Sequence, residues 1–480
     1  MIYSIIQKSQ LEGAKRLDAE YYQPEYLAIK NNLISFGCKS FGDFLGLLYR
    51  YPTFYNLQYY KQGVLILKGE DMTLDGFVQN QSQDFISQED AKKFPMTILN
   101  EGDIIFSVRG LVGKVSIIDE KYRGSIISAN LIRAKIIDFS PYALWVFLNS
   151  KYGVSQISRV KMITAQETIV ADDIKGILIP KISRSQQSEI EEIAKRSLAI
   201  FRETEILYSQ AENLLLKELK IDSTSVDDEI GFVVNLSEIK ENNRCDAEYF
   251  QPKYKKISEH IKKNCGGMAL GELVMIKKGI EPGAEEYLMS SDAASFAQCY
   301  GRPKEDMEEE MGKQFIRVSS LSKFGINDNN QKYLSEELYQ KLKDNFEPEK
   351  GEILLTKDAS PGIAYVLKEN IEGIVAGGIL RLKLKSPSTG SGHKIEVEDE
   401  YLALCINSIV GQMQAERDAG GSVIAHWRPE QVKNILIPIL PKLIQQKISG
   451  LIRRSHESRK KAKELLEEAK TRVEKLIEQA

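Results

Sequence analysis

Two segments of the chain, 102–119 and 351–368, share one pattern of apolar and polar positions. Each begins with glycine and an acidic residue and continues as a short apolar run, GDIIFSV and GEILLTK. A turn containing glycine or proline follows, RGLVG and DASPG, and then a second apolar run, KVSIID and IAYVLK. Strands bounded by turn residues form hairpins. The pattern therefore predicts a β-rich core with at least one hairpin in each half.

Helical periodicity follows each hairpin segment. Segments 140–157 and 396–417 carry apolar residues at a period of 3.6 and predict helices. In 186–219 and 448–476, apolar or small residues alternate at spacings of three and four, as in a heptad seam. A helix of this length spans roughly 50 Å at ~1.5 Å per residue. We expect the two long helices to pair with each other, although each could instead pack on its own domain with a solvated outer face.

The two halves are copies in one order along the chain. RLDAEYYQPEY (16–26) recurs as RCDAEYFQPKY (244–254), and LKGEDMTLDGF (67–77) recurs, more diverged, as IRVSSLSKFGI (316–326). Near the end of each half, an isoleucine–proline strand is followed by paired glutamines. Such self-similarity predicts a tandem duplication. We expect domains at 1–185 and 223–441 and helices at 186–222 and 442–480, with the acidic stretch 222–229 as the joint.

Composition is that of an ordinary globular protein of 480 residues with a net charge of −3. No apolar run is long enough to span a bilayer, and the N-terminus lacks the pattern of a signal peptide, so we expect a cytoplasmic protein without membrane contact. Five cysteines without a C-x-x-C spacing predict free thiols: Cys38, Cys245, Cys265, Cys299 and Cys405.

Motifs for catalysis are missing from the sequence. There is no phosphate-binding G-x-x-x-x-G-K-[ST] loop, no G-x-G-x-x-G opening a helix, and no Asn/Asp-Pro-Pro-aromatic string for amino-methyl transfer. The four histidines have no metal-ligand spacing: His260, His393, His426 and His456. We therefore expect no catalytic residues, no bound metal and no cofactor in this chain.

The duplicated phrase, the glycine–acid strand, the strand ending in isoleucine–proline before paired glutamines, and the long heptad helix occur twice in one order. Together they resemble the specificity subunit of a type I restriction–modification enzyme, over nearly the whole chain. The resemblance implies an α+β fold with two β-rich target recognition domains, each followed by a long helix, and the helices pairing as an antiparallel coiled coil with pseudo-twofold symmetry.

The resemblance also implies a function and partners. The chain would bind double-stranded DNA with a bipartite target and assemble with two methyltransferase subunits and with motor–nuclease subunits. S-adenosylmethionine and ATP would then be used only in the partner subunits. Two alternatives stay open at this point: a scaffold whose twin domains bind protein, and an enzyme whose site leaves no motif.

Candidate DNA contacts follow from comparing the two halves. Positions at which charge or hydroxyl is kept predict phosphate contacts, because both domains should hold the duplex alike: Lys68 with Arg317, Arg133 with Arg381, and Ser107 with Thr356. Positions that differ predict base-reading loops: Arg109 and Lys114 align with Asp358 and Ile363, and Lys357 is a further candidate. The acidic cluster 305–310 is expected to be a solvated loop.

The repeated phrase is unchanged between halves and so cannot read different bases. Its aromatic and amide residues are candidates for binding two copies of one partner: Tyr21, Tyr22, Gln23, Tyr249, Phe250 and Gln251. The alternative is a structural joint between each recognition domain and its helix.

Overall fold

The structure is a computed structural model. It describes residues 4–12, 16–50, 57–80, 82–161, 167–221, 231–283, 286–288, 312–327, 332–385, 396–419 and 425–479. Three sequence-based predictions lie outside these residues: the joint at 222–229, the acidic cluster 305–310 and the thiol of Cys299. Within the described part of the chain, Cys38, Cys245, Cys265 and Cys405 are free thiols.

The first half contains nine strands within the described residues. A four-stranded sheet has the order β2-β8-β5-β6, a three-stranded sheet has the order β4-β3-β7, and β1 pairs with β9. The strands are β1 (Cys38–Ser40), β2 (Leu45–Arg50), β3 (Val64–Leu67), β4 (Phe85–Ile86), β5 (Ile104–Ser107), β6 (Val115–Ile117), β7 (Ile126–Ile127), β8 (Leu131–Ile136) and β9 (Leu178–Pro180).

The second half repeats this plan. A four-stranded sheet has the order β11-β20-β17-β18, a second has the order β12-β16-β13-β19, and two pairs are β14-β15 and β10-β21. The strands are β10 (Gly267–Ala269), β11 (Val274–Lys278), β12 (Tyr287–Leu288), β13 (Lys313–Ile316), β14 (Leu321–Ser322), β15 (Gly325–Ile326), β16 (Lys332–Leu334), β17 (Ile353–Thr356), β18 (Ala364–Val366), β19 (Gly373–Val375), β20 (Ile379–Leu384) and β21 (Leu436–Pro438).

The helices surround and follow these sheets. They are α1 (Pro24–Phe36), α2 (Gln88–Lys92), α3 (Pro141–Leu148), α4 (Lys151–Val160), α5 (Ala171–Lys175), α6 (Arg184–Leu219), α7 (Leu236–Asn242), α8 (Pro252–Asn264), α9 (Leu270–Leu273), α10 (Glu336–Phe346), α11 (Asp399–Asn407), α12 (Ile409–Asp418), α13 (Pro429–Lys433) and α14 (Lys442–Glu478). Short 3₁₀ turns lie at Lys8–Gln10, Ala19–Tyr22, Phe41–Phe44, Gly69–Asp71, Pro95–Thr97, Glu120–Tyr122 and Val318–Ser320.

The predicted α+β fold, with its hairpins and its two long helices, is confirmed. β5 pairs antiparallel with β6, and β17 pairs antiparallel with β18. The two medium-length helical segments differ from the prediction because each is broken in two. α3 turns sharply into α4, and α11 into α12, where a Cβ on Gly153 or Gly411 would lie 2.4 or 2.2 Å from backbone of the preceding helix. Only glycine permits that close approach.

The chain forms two compact units, and the division between them falls inside α6 and inside α14. Of the described residues, those up to 202 and from 459 onward form unit 1, and those from 203 to 458 form unit 2. Each unit therefore contains part of both long helices. In unit 1 the C-terminal segment of α14 supplies apolar side chains to a core built from α3, β5 and β8.

The long helices run antiparallel in unit 1. Glu189 pairs with Arg472, and Ser197 Oγ donates to the carbonyl of Ala462 at 2.6 Å, so the residue number rises along one helix as it falls along the other. In unit 2, Ser455 Oγ donates to the carbonyl of Thr204 at 2.8 Å. The hydroxyls of the seam residues Ser197 and Ser455 are thus buried and hydrogen-bonded to backbone of the other helix, which explains their place in an otherwise apolar row.

Within the described ranges no helix is long and apolar enough to cross a membrane. The same part of the chain contains no group of three or more histidine, cysteine or acidic residues placed to hold a metal ion.

Candidate nucleic-acid interface

Two arginines predicted to contact phosphate are buried inside the four-stranded sheets. Arg133, on β8, is 5% exposed, and its Nε lies 2.7 Å from Asp103 Oδ2. Arg381, on β20, is 2% exposed, and its Nε and Nη2 lie 2.7 and 3.0 Å from the Glu352 carboxylate. If either arginine turned away to contact DNA, its carboxylate partner would remain buried without a compensating charge. The predicted phosphate contacts of Arg133 and Arg381 are therefore corrected: both arginines are internal ion-pair partners.

These ion pairs explain the repeated glycine–acid motif. The carboxylate of Asp103 also accepts from the backbone N–H of Asn100 at 2.7 Å, and that of Glu352 from the N–H of Glu349 at 3.1 Å. Each acid therefore closes the turn before its strand and binds an arginine of the next strand in the sheet. Burial raises the pKa of Asp103, and the nearby Arg133 opposes that shift.

The two hydroxyls predicted to contact phosphate are also internal. Ser107 Oγ donates to the carbonyl of Leu111 at 2.6 Å, and Thr356 Oγ1 donates to the carbonyl of Ser360 at 2.6 Å. Both side chains are fully buried. They hold the loops 108–114 and 357–363 in shape, and these loops are named hairpin A and hairpin B below. The predicted phosphate contact is corrected for Ser107 and Thr356, because neither hydroxyl reaches the surface.

Lys114 is a buried member of hairpin A. Its Nζ donates to the carbonyl of Met72 at 2.6 Å and to that of Gly69 at 3.3 Å. Burial lowers the pKa of Lys114 to about 8, and the charges of Asp71 and Glu70 oppose the shift. The predicted base-reading role of Lys114 is corrected, since its ammonium group is occupied inside the domain.

Lys68 and Arg317 are half-buried at equivalent positions after β3 and β13. Lys68 pairs with Asp84 and lies 5.1 Å from the ring centre of Tyr59. The backbone N–H of Arg317 donates to Ser320 Oγ at 3.0 Å. The guanidinium group of Arg317 takes no part in that bond. These two residues remain candidates for contact with DNA.

Hairpin A presents an exposed cation at the end of its sheet. Arg109 is exposed, and its backbone forms a bridge with Thr168. Arg50, the last residue of β2, lies at the same end of the sheet, and both burial and the charge of Arg109 lower the pKa of Arg50. Within the described residues no carboxylate forms an ion pair with either arginine. Two arginines at one end of a sheet, both outside the ion pairs of the described residues, favour an anionic partner.

Hairpin B has a different set of side chains at the same place. Asp358, which replaces Arg109, has its Oδ1 2.9 Å from His426 Nδ1 and its Oδ2 2.5 Å from Lys357 Nζ. The backbone of Asp358 forms a bridge with His426, as that of Arg109 does with Thr168. Lys278, the last residue of β11, is exposed and occupies the position of Arg50.

The backbones of the two hairpins are alike although their side chains differ. Gly110 and Ala359 occupy equivalent positions with φ of 77° and 60°, and Gly113 and Gly362 have φ of 96° and 95°. One loop conformation therefore carries arginine in the first half and aspartate in the second.

The repeated phrase forms a clamp in unit 1. Arg16 Nε and Nη2 lie 2.9 and 2.6 Å from the carboxylate of Asp18, and this hydrogen bonding lowers the pKa of Asp18. The guanidinium carbon of Arg16 is 4.6 Å from the ring centre of Tyr21, and that of Arg159, on α4, is 4.1 Å from the same centre. The tyrosine thus joins the phrase to the helical layer.

Unit 2 repeats the clamp. Arg244 binds Asp246 at 2.9 and 2.6 Å. The ring centre of Tyr249 lies 4.4 Å from the guanidinium carbon of Arg244 and 5.2 Å from that of Arg417, on α12. Cation–π contacts of this kind contribute about 0.5–1 kcal/mol each at exposed sites. In both halves, the arginine, aspartate and tyrosine of the phrase thus form one cluster with an arginine of a short helix, α4 or α12.

The six candidates for partner binding differ in accessibility. Tyr21 and Tyr22 are buried, whereas Gln23, Tyr249, Phe250 and Gln251 are half-buried. The exposed positions of the phrase are Leu17, which is 82% exposed, its equivalent Cys245, the alanines Ala19 and Ala247, and the glutamates Glu20 and Glu248.

Sequence reasoning missed two cations at the sheet ends, Arg50 and Lys278. The signal was available, because the apolar runs LGLLYR and VMIKK both end in a basic residue. The two runs can be aligned only when both are recognised as the first strand, in chain order, of a four-stranded sheet. The pairing of His426 with Asp358 has no sequence signal, because it depends on a contact between residues 68 positions apart.

The chain was compared with known proteins in three ways. No protein-family model matches it, and no curated protein matches it. Among solved structures, it is similar to the S subunit of a type I restriction–modification system from M. genitalium, with 13% identity over 92% of this chain and 94% of that chain and a TM-score of 0.37.

Two further solved structures are similar. The HsdS subunit from Thermoanaerobacter tengcongensis has 14% identity over 92% of this chain and 96% of that chain, with a TM-score of 0.28. A chain from a structure on the assembly and conformational transition of the type I restriction–modification system has 13% identity, coverage of 92% and 97%, and a TM-score of 0.28. Over 92% of its length, the chain is thus similar to S subunits of type I restriction–modification systems.

Proposed function

We propose that this protein is the DNA-specificity subunit of a type I restriction–modification system, which reads a bipartite, asymmetric target. The observation that carries the proposal is the contrast between a repeated framework and unlike loops. The internal ion pairs, the hydroxyls that hold the hairpins and the Arg–Tyr–Arg clamps recur in both halves. The hairpins, by contrast, carry Arg109 in one half and Asp358 in the other.

Such a division suits two domains that grip one duplex alike and read different bases. Arg50 and Lys278, at the ends of β2 and β11, replace Arg133 and Arg381 as the proposed phosphate contacts. Lys68 and Arg317 are proposed as additional contacts. A net charge of −3 leaves further phosphate contacts to partner subunits.

The partners and the domain boundaries belong to the same proposal. Two methyltransferase subunits would bind one to each half, next to the exposed positions of the repeated phrase, and motor–nuclease subunits would join the full enzyme. S-adenosylmethionine and ATP would be used by those partners, and this chain would be non-catalytic. The recognition domains would comprise 1–185 and 223–441, with the helices 186–222 and 442–480 between and after them.

Retention of a DNA library separates this function from its alternatives. The chain, purified with the subunits that accompany it in the cell, is incubated with randomised duplexes, and the retained DNA is sequenced. A specificity subunit enriches one split sequence, whereas a protein scaffold enriches none. Methyl transfer from S-adenosylmethionine by this chain without partners would instead support an enzyme with its own site.

A further inference from the structure

Hairpin A offers the hydrogen-bond donors of an arginine side chain at its surface. Arg109 is exposed, and an arginine guanidinium group has five N–H donors and no acceptor. Its neighbour across the backbone bridge is Thr168, and the second cation at that end is Arg50. An arginine positioned in this way makes two bonds to the O6 and N7 acceptors of guanine in the major groove.

Hairpin B offers acceptors at the equivalent place. Asp358 Oδ1 and His426 Nδ1 share a hydrogen bond of 2.9 Å, so the second ring nitrogen, Nε2, lies outside that bond. In the tautomer with its proton on Nδ1, Nε2 is an acceptor, and 63% of the His426 side chain is exposed. The carboxylate of Asp358 has about four lone-pair sites, and His426 and Lys357 occupy two of them.

The internal bonds of hairpin B keep this group in place. Lys357 and His426 bind opposite oxygens of the carboxylate, and the backbone N–H of Trp427 donates to the carbonyl of Lys357 at 2.7 Å. Trp427 is fully buried and anchors the segment that carries His426. The acceptors are therefore held in fixed positions, as base reading requires.

We propose that the two hairpins read bases of opposite hydrogen-bond polarity. Hairpin A selects guanine through Arg109, and hairpin B selects a base with an exocyclic amino group, cytosine or adenine, through Asp358 and His426. The inference rests on the proposed function and adds the chemical class of base that each half-site requires. An ion pair that merely stabilises hairpin B would have no such effect on base preference.

The test is to repeat the library selection with variants in the same purified complex. Arg109→Ala should lower the enrichment of one guanine by about tenfold in one half-site and leave the other half-site unchanged. Asp358→Asn should lower the enrichment of one cytosine or adenine by about tenfold in the other half-site. His426→Ala, at an exposed position that will not unfold the domain, should affect the same base as Asp358→Asn.

Matched controls are Arg123→Ala and Asp172→Asn, since both side chains are exposed and paired only with neighbours on the surface. Unchanged base preferences in all three hairpin variants would overturn the inference while the proposed function stands. An equal loss of affinity for every sequence would also overturn it, because that result describes phosphate contact. If the unmodified complex enriches no sequence at all, the proposed function itself fails.

Discussion

At the scale of single residues, the two buried arginines show what a duplicated sequence reveals and what it leaves open. Equivalence of Arg133 and Arg381 indicates a common role, and both a surface clamp and an internal ion pair give that pattern. The acids that pair with them, Asp103 and Glu352, recur as well. An arginine and an acidic residue that recur together at equivalent positions were the available signal for an internal ion pair. The burial of these side chains could not be predicted, because it depends on how the sheets pack.

Replacing one of these arginines should destabilise its unit. Arg133→Met or Arg381→Met leaves a buried carboxylate uncompensated, and we expect a loss of about 3–5 kcal/mol in the free energy of unfolding. Denaturant titration measures it, with the exposed Arg123→Ala as the control. A loss below about 1 kcal/mol in both variants would show that neither pair is buried as described.

Lys114 should make stability depend on pH in the alkaline range. Its pKa is about 8 in the folded protein and ~10.4 in the unfolded chain, so the unfolded state binds more protons between these values. Stability therefore rises with pH from about 8 to about 10, and that contribution is lost as pH falls through the folded pKa. Urea unfolding across this range should show a smaller rise for Lys114→Met than for the parent protein. Equal slopes would contradict the assignment.

At the scale of elements, the hairpins and short helices follow from local sequence. The division of each long helix between the two units does not. A heptad pattern predicts that two helices pair, and Ser197 and Thr204 are hydrogen-bonded across that pairing. The pattern contains no information on which core each part of a helix completes. That depends on contacts between residues more than 250 positions apart.

The shared backbone of the two hairpins predicts stability changes of opposite sign for two substitutions at equivalent positions. Ala359 has a left-handed backbone at a position where its equivalent is Gly110. A residue with a Cβ pays roughly 1–2 kcal/mol for that conformation. Ala359→Gly should therefore stabilise the protein by about 1 kcal/mol, and Gly110→Ala should destabilise it by a similar amount. Thermal unfolding of both variants measures this, and a change of the same sign in both would contradict a shared loop geometry.

The C-terminal segment of α14 should stabilise unit 1. Val473 is fully buried in the core that contains β5 and β8. Val473→Asp places a charge in that core, and we expect faster native-state hydrogen exchange in β5 and β8 with little change in β17 and β20. Thr471→Asp, which adds the same charge at an exposed position on the same helix, is the control. Loss of protection in β17 and β20 alone would contradict the assignment of this segment to unit 1.

At the scale of the whole molecule, the central claim is that one chain carries two unlike DNA readers on a duplicated framework. The sequence predicted the duplication, the α+β fold and the long helices, because each leaves a periodic or repeated pattern. The surface cations Arg50 and Lys278 were missed, since they are recognised as equivalent only once the strands that end in them, β2 and β11, are aligned.

Sequencing of modified bases tests the central claim most directly. The chain is expressed with the methyltransferase subunit proposed as its partner in a cell that lacks DNA methylation of its own, and methylated sites are mapped across the genome. The account predicts one motif in two unlike parts, separated by a spacer of fixed length and unspecified sequence. Methylation at one continuous palindrome, or none that depends on this chain, would contradict it.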